Sequence, residues 1–359
     1  MKIIDKIKQQ ESFYSFEYFP PKTKVGQQNL YIKIDKMLKT QPLFVDLTWG
    51  AGGSTSDLTL EMASKIQNYL CVETQMHLTC TNMNKQKVVD ALNLAKKNGI
   101  QNILALRGDP AEMGYNSEAE NNDLNYASDL VKFIKQEHGD YFGISVAGYP
   151  EGHPDAESYQ MDLKYLKQKV DAGADFIITQ FFFDYQIFLK YVKDCREIGI
   201  TCPIIPGILP IFNFNSFKRM INFTKVSVPE EFLTHLEIIK NDDVKVSEYG
   251  IKIVIDLCQK LNDNGFKNYH IYTLNRDDCT FKILEELGLD KKNPFLPWRP
   301  RVNTNESIRP VFWSHAKDNY LELIKNWDHF PNGRWGDPSK SNFGDIKDYH
   351  LFTLSLGSQ

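Results

Sequence analysis

The sequence has no C-x-x-C pair, no G-x-G-x-x-G loop, no low-complexity tract and no apolar run near the roughly 20 residues that span a bilayer. Each absence removes a class of function. The six cysteines (Cys71, Cys80, Cys195, Cys202, Cys258 and Cys279) show no zinc-type spacing, so reduced, buried thiols are expected, as in a cytoplasmic protein. Without the glycine loop, an open sheet that binds a dinucleotide at its first turn is disfavoured. Excess positive charge is also lacking. Against 42 Lys and Arg stand 46 Asp and Glu, a net charge of −4 that offers no general attraction to nucleic acid or an anionic membrane. The opening Met1-Lys2-Ile3-Ile4-Asp5-Lys6 carries charges where a signal peptide needs an apolar stretch, so no secretory address is expected.

What is present is a rhythm. Short β-rich runs at Phe13–Phe19, Leu43–Thr48, Val72–Thr79, Ile100–Leu106, Phe142–Ala147, Asp175–Gln180, Pro203–Ile208 and Asn268–Thr273 alternate with helical patterns. These patterns fall near 27–39, 57–69, 84–98, 122–137, 157–172, 184–198, 213–223 with 242–263, and 277–287. Asn98-Gly99, Ile198-Gly199 and Ala172-Gly173 read as helix stops. Eight βα cycles in about 290 residues predict a (β/α)8 TIM barrel, α/β in class. The doubly wound open sheet is the competing fold.

In such a barrel the site forms at the C-terminal ends of the strands. Glu17 lies in Phe13-Tyr14-Ser15-Phe16-Glu17-Tyr18-Phe19, a run that Pro20-Pro21 ends. Alternation puts Phe13, Ser15, Glu17 and Phe19 on one face and Tyr14, Phe16 and Tyr18 on the other. Apolar neighbours would desolvate this carboxylate and let it hold a proton, which is how a general acid is made; an edge strand with Glu17 in water is the plain alternative.

The other strand ends are polar or aromatic too. After the second strand comes Thr48-Trp49-Gly50-Ala51-Gly52-Gly53-Ser54; on the third, Gln75, His77 and Thr79 share a face, although a strand histidine is commonly a satisfied core group. The fourth ends in Arg107-Gly108-Asp109-Pro110, which also suits an ordinary turn, and the fifth leads to Tyr149 and His153. Gln180 follows Phe176 and Ile178 inward, and Phe181-Phe182-Phe183 suits a wall for flat rings or plain core. No His/Cys/Asp cluster has metal spacing, so no metal is expected. Aromatics with hydrogen-bonding groups favour a planar heterocycle such as flavin or pterin.

The motifs Phe16-Glu17-Tyr18-Phe19-Pro20-Pro21-Lys22, Leu47-Thr48-Trp49-Gly50-Ala51, His77-Leu78-Thr79-Cys80 and Leu106-Arg107-Gly108-Asp109-Pro110 closely resemble methylenetetrahydrofolate reductases. So do Tyr149-Pro150-Glu151-Gly152-His153-Pro154, the run Asp171–Phe182, Pro206-Gly207-Ile208-Leu209-Pro210 and Tyr272-Thr273-Leu274-Asn275-Arg276, in the family's order. The resemblance implies FAD as cofactor and NADPH or NADH as reductant, in a ping-pong reduction of 5,10-methylenetetrahydrofolate to 5-methyltetrahydrofolate that feeds methionine synthesis. It implies Glu17 as the acid that protonates folate N10, and Asp109 as an anion near flavin and folate. For FAD it points to Thr48, Trp49, Ala51, His77, Arg107, Gly108, Asp109, Tyr126, Ala127, Tyr149, His153, Ala156, Asp162 and Lys169. For the substrate it points to Glu17, Asp109, Gln180, Phe214, Tyr272 and Arg276. Tyr165 and Gln168 stand where bacterial members carry more basic or amide groups.

Residues 1–290 are thus expected to form the catalytic barrel. Residues 291–359 resemble the eukaryotic linker and the opening of a regulatory domain that binds S-adenosylmethionine: Leu296-Pro297-Trp298, Arg309-Pro310-Val311-Phe312-Trp313, Trp327–Asp337 and Phe343–Tyr349 carry this likeness. The sequence stops at Gln359, short of a whole such domain, so either a cut boundary or a form without that control is expected. The eukaryotic likeness leans to NADPH and to a homodimer. A catalytically inactive folate- or flavin-binding homologue and a different flavin-dependent barrel are the rival readings.

Overall fold

The computed structural model describes residues 1–50, 56–80, 84–108 and 124–289, together with the pairing of Trp298–Arg299 with Arg309–Pro310. Eight parallel strands close into a barrel in sequence order: β1 (Phe13–Tyr18), β2 (Val45–Leu47), β3 (Thr74–Thr79), β4 (Asn102–Leu106), β5 (Gly143–Gly148), β6 (Phe176–Phe181), β7 (Ile204–Ile208) and β8 (Asn268–Tyr272). β8 returns to pair with β1, Ser15 opposite His270 and Glu17 opposite Tyr272. All eight expected strands are present, each shifted by at most two residues at an end.

The helices are α1 (Ile3–Ile7), α2 (Lys24–Met37), α3 (Ser56–Tyr69), α4 (Lys85–Lys97), α5 (Ala127–His138), α6 (Tyr159–Asp171), α7 (Tyr185–Glu197), α8 (Phe214–Thr224), α9 (Glu230–Ile239), α10 (Asp243–Asp263) and α11 (Asp278–Glu286). Local chemistry starts and stops them. Asn84, Ser158, Asp184, Asn213 and Asp242 each accept a backbone N–H with the side chain at the N-cap. The expected stops at Gly99, Gly173 and Gly199 all have positive φ. Two helices were not legible: α1 is a single short turn, and α9 lies where the sequence suggested only a connection between α8 and α10.

Alternation along the strands sorts the core into two bodies. Outward residues such as Phe16, Tyr18, Val45, Leu47, Met76 and Leu78 pack under the helices. Inside the barrel, α1 plugs the N-terminal mouth, where Ile3, Ile4 and Ile7 pack against Phe13, Phe44, Phe176, Ile178 and Ile205. The Asn102 side chain accepts from Ile3 N at 2.7 Å and pins the plug. Above this apolar floor the lumen turns polar: Ser15, Gln75, Ser145 and His270, then Glu17, Asp46 and His77, all buried. A closed wall of paired backbone leaves these side chains to satisfy one another.

Gly207 on β7 marks the tightest point of that wall. A Cβ there would stand 2.1 Å from Thr179 O and 2.7 Å from the Tyr272 ring. Gly207→Ala must part β6 from β7, and the expected loss is about 3 kcal/mol or more, beyond a common overpacking cost. Urea unfolding followed by far-UV circular dichroism checks this, and an unchanged midpoint would contradict the close approach.

Candidate active site

The open rim is formed by the C-terminal ends of the strands, and most of the expected residues lie along it. Glu17 sits one residue from the end of β1, and Thr48 and Trp49 follow β2. His77 is on β3, Arg107 and Gly108 follow β4, Tyr149 and His153 follow β5, Gln180 is on β6 and Tyr272 ends β8. Ala51 and Asp109 lie outside the described residues, as do the motifs between 311 and 359.

Glu17 faces inward, as alternation required, and only 7% of it is exposed. The reason given for its chemistry needs correction. Tyr14, Phe16 and Tyr18 lie on the other face with the helices, and Glu17 meets Tyr272 across the β1–β8 pairing. Its other lumen neighbours are ionisable. Glu17 Oε2 is 3.5 Å from His77 Nε2 and 3.6 Å from His270 Nε2, and Asp46 Oδ2 is 3.4 Å and 3.8 Å from the same two atoms. Asp46 stands directly across from Glu17 in the β1–β2 pairing. His270 Nδ1 is 2.8 Å from Ser15 Oγ, and its ring lies over Phe44 with centroids 6.1 Å apart.

Burial in the dry lumen raises the Asp46 carboxyl against the opposing pull of both histidines. His77 is also raised: its hydrogen bond with Asp46, with Glu17 nearby, outweighs a burial effect of the opposite sign. Burial, with Glu17 and Asp46 adding to it, holds the Tyr272 phenol well above its ordinary range; the hydroxyl donates to Thr179 O at 2.7 Å. The strand histidine is thus buried between carboxylates, and two of its companions, Asp46 and His270, went unnoticed in the sequence. Asp46 and His270 lie on strands whose neighbours are apolar or aromatic, and only closure of the barrel brings them to Glu17. Among the described residues, Glu17, Asp46 and His270 have ligand atoms within 4.8 Å of one another. Spacing along the chain gave no sign of such a group.

A second cluster lies at the β4–β5 sector of the rim. The Lys169 amine reaches back from α6 to donate to Ala147 O at 2.6 Å, and its described charged neighbour is Asp162. Burial pushes this amine down to about 8, and burial likewise lowers His153 and raises Asp162. The Tyr149 ring meets His153 edge-on at 4.6 Å, and Ala156 N donates to His153 O at 2.9 Å. Arg107 pairs with Asp155 at 2.7 Å. Gly108 has φ +90°, and a Cβ there would press Thr79 at 2.8 Å, so the turn after β4 admits glycine alone. Trp49 Nε1 is a buried donor with no hydrogen-bond partner among the described residues.

The remaining expectations fare unevenly. Gln180 points inward at the rim, its Oε1 accepting from Phe181 N at 3.1 Å. The three phenylalanines are core: Phe181 and Phe183 pack with Phe214 and Phe217, while Phe182 stacks on Phe188 at 5.0 Å. Phe214 is buried in that cluster with the Lys218 amine 5.4 Å from its ring. Arg276 is exposed, its guanidinium 5.0 Å over Phe212, and is not gathered with the Glu17 cluster. Tyr126 is 62% exposed at the start of α5, beside Ala127.

The family model described as methylenetetrahydrofolate reductase matches residues 2–288, the whole barrel. The chain belongs to the methylenetetrahydrofolate reductase family. A second model, the family's SAM-binding regulatory domain, matches residues 294–359. A probable methylenetetrahydrofolate reductase (NADH) of Oryza sativa subsp. japonica is 50% identical over 99% of this chain and 63% of its own length. Methylenetetrahydrofolate reductase 2 of Saccharomyces cerevisiae is 44% identical over 96% of this chain and 62% of its own. A 5,10-methylenetetrahydrofolate reductase of Pectobacterium carotovorum is 38% identical over 77% of this chain and 90% of its own. The chain thus spans a little under two thirds of the plant and yeast relatives. Among solved structures, a Clostridium thermocellum protein described as binding two copies of 5-methyl-5,6,7,8-tetrahydrofolic acid aligns with TM-score 0.54 at 14% identity, over 80% of this chain and 98% of its own; the likeness is one of fold.

Lys169 gives a pH test. Its amine lies at about 8 in the fold against 10.5 ordinarily, so the unfolded chain holds more protons between these values and stability rises with pH across that window. Lys169→Met is expected to remove this rise and to stabilise the ligand-free protein below pH 8, by about 1 kcal/mol or more after allowing for solvent screening. Urea midpoints at pH 8 and pH 10 for both proteins check it; equal rises would place the amine in water.

Proposed function

We propose that this chain is the catalytic part of a flavin-dependent reductase that uses NADH or NADPH to reduce 5,10-methylenetetrahydrofolate to 5-methyltetrahydrofolate. The observation that carries the reading is Glu17: a carboxylate buried in the lumen of a family barrel, one residue from the rim, able to meet a ligand from one side and ionisable partners from the other.

The rim residues fit FAD. A dinucleotide brings an anionic pyrophosphate, and the β4–β5 sector offers Lys169, a costly buried amine, with His153 and Arg107 nearby. Trp49 Nε1 is a buried donor lacking a partner among the described residues, and Gly108 keeps the turn after β4 free of a side chain. Thr48, Trp49, His77, Arg107, Gly108, Tyr126, Ala127, Tyr149, His153, Ala156, Asp162 and Lys169 would hold the cofactor, with Ala51 and Asp109 beside them. When bound, FAD supplies hydride transfer between the nicotinamide and the folate.

The chain's own part is proton management and alignment. Glu17 would deliver a proton to folate N10 so that the five-membered ring opens, and Gln180 would hydrogen-bond the pterin. Tyr272, fixed by Thr179 O, would form one wall and Phe214 another, with Arg276 toward the glutamate tail. Asp109 would stabilise the cation left on the opened folate. One rim serving both substrates suits a ping-pong order, since the nicotinamide must leave before folate enters. The family context favours the cytoplasm and supply of a methyl group for methionine synthesis. Of the curated relatives, those of rice and maize are named for NADH and that of Caenorhabditis elegans for NADPH, so both reductants belong in the test.

With FAD bound and air excluded, NADH or NADPH is expected to bleach the visible flavin absorbance, and methylenetetrahydrofolate to restore it. No bleaching with either nucleotide overturns the reading, as does bleaching that folate never reverses. Glu17→Gln is expected to keep the nicotinamide half-reaction within about threefold while slowing the folate half-reaction by about 10²–10⁴, the range of a lost general acid. Stopped-flow absorbance separates the two; equal losses would make Glu17 a structural residue.

A further inference from the structure

The chain leaves β8 through a strained turn. Leu274 has φ +50° and Asn275 φ +58°, and among the described residues they are the only adjacent non-glycine residues with positive φ. For a bulky apolar side chain this region is an outlier, and such strain persists only where the surroundings fix it. Here they do. Leu274 packs against both the main core and the cluster around Phe214. Lys33 on α2 donates to Asn275 O at 2.9 Å, and Arg276 N donates to Thr273 O at 2.9 Å.

That conformation turns two grips onto the end of β1. The β1–β8 pairing ends where Glu17 faces Tyr272. Beyond it, the Asn275 side-chain amide takes over: Oδ1 accepts from Phe19 N at 2.9 Å, and Nδ2 donates to Phe19 O at 2.8 Å. One amide thus closes both polar groups of Phe19, as a neighbouring strand would. Pro20 and Pro21 follow without an N–H, so no ladder can be continued past Phe19 by their donation. Asn275 N also donates to Thr273 Oγ1 at 3.2 Å, and that hydroxyl donates to Glu17 O at 2.6 Å. On the other flank Thr48 N donates to Tyr18 O at 3.0 Å. Glu17 and Phe19, on either side of Tyr18, are therefore held from a single turn.

We propose that Asn275 is a positioning residue for the folate step, fixing the end of β1 so that the Glu17 side chain meets the substrate in one place. Asparagine suits the task because its short side chain tolerates the left-handed backbone and carries both a donor and an acceptor. Glycine would relieve the backbone without reaching Phe19. Aspartate would still accept from Phe19 N, but it would set a carboxylate oxygen against Phe19 O. Asn275 is half-buried at the open rim, where water competes for its bonds, so its weight falls on geometry more than on global stability. What Glu17 then does rests on the reductase reading; the grip on Phe19 does not.

Amide exchange and half-reaction kinetics of the FAD-loaded enzyme test this together. In Asn275→Gly the Phe19 amide is expected to lose its protection, which mass spectrometry of peptides spanning Phe19 reads as faster exchange there. The folate half-reaction at saturating folate is expected to slow by about 10–100-fold, the scale of a displaced reacting group, with the nicotinamide half-reaction within about threefold. Asn275→Asp is expected to fall between wild type and the glycine variant, and it carries the same readouts if that variant does not fold. Added to Glu17→Gln, Asn275→Gly is expected to slow the folate step by no more than about a further threefold, since both act on one proton delivery. Unchanged exchange at Phe19 overturns the proposal, as does equal slowing of both half-reactions. A loss confined to the folate KM would point to Arg276 on the same turn and overturn it too, and so would full multiplication of the two losses in the double variant. Should the wild type fail to reduce folate at all, the reductase reading falls, while exchange at Phe19 still decides the grip.

Discussion

Everything at the rim depends on strands that cannot slide, because the lumen gathers two carboxylates and two imidazoles buried against one another. Glu17 on β1, Asp46 on β2, His77 on β3 and His270 on β8 come from four strands, two of which meet where the barrel closes. A shift of one residue in any pairing would turn one of these side chains out among the helices and leave the others uncompensated. The β1–β8 seam is correspondingly well tied. Ser15 meets His270, and Thr273 Oγ1 donates to Glu17 O at 2.6 Å. The Asn275 amide grips both Phe19 N and Phe19 O at 2.9 and 2.8 Å.

The apolar floor makes such a cluster affordable. α1 and the inward phenylalanines pack together into an apolar floor at the N-terminal mouth of the lumen. Charges are strengthened against one another above such a floor. At the β4–β5 sector burial holds the Lys169 amine at an energetic disadvantage. Under the proposed function an incoming pyrophosphate would relieve it, as is common where a fold prepares a site in advance.

How far the sequence foretold this follows from which signals are local. Strand count, barrel class and the inward face of Glu17 were legible because period-2 alternation and βα spacing are read within a few residues. The family motifs added the rim positions. Asp46 and His270 were not legible, since each is a single polar residue in an otherwise apolar or aromatic strand, meaningful only through partners up to 253 positions away, as between Glu17 and His270. The surroundings of Glu17 were incompletely legible for a related reason. Apolar neighbours were expected to desolvate it, whereas closure of the barrel sets ionisable groups from three other strands beside it. Helix α9 escaped because its apolar residues read equally well as a loop packed on α8 and α10.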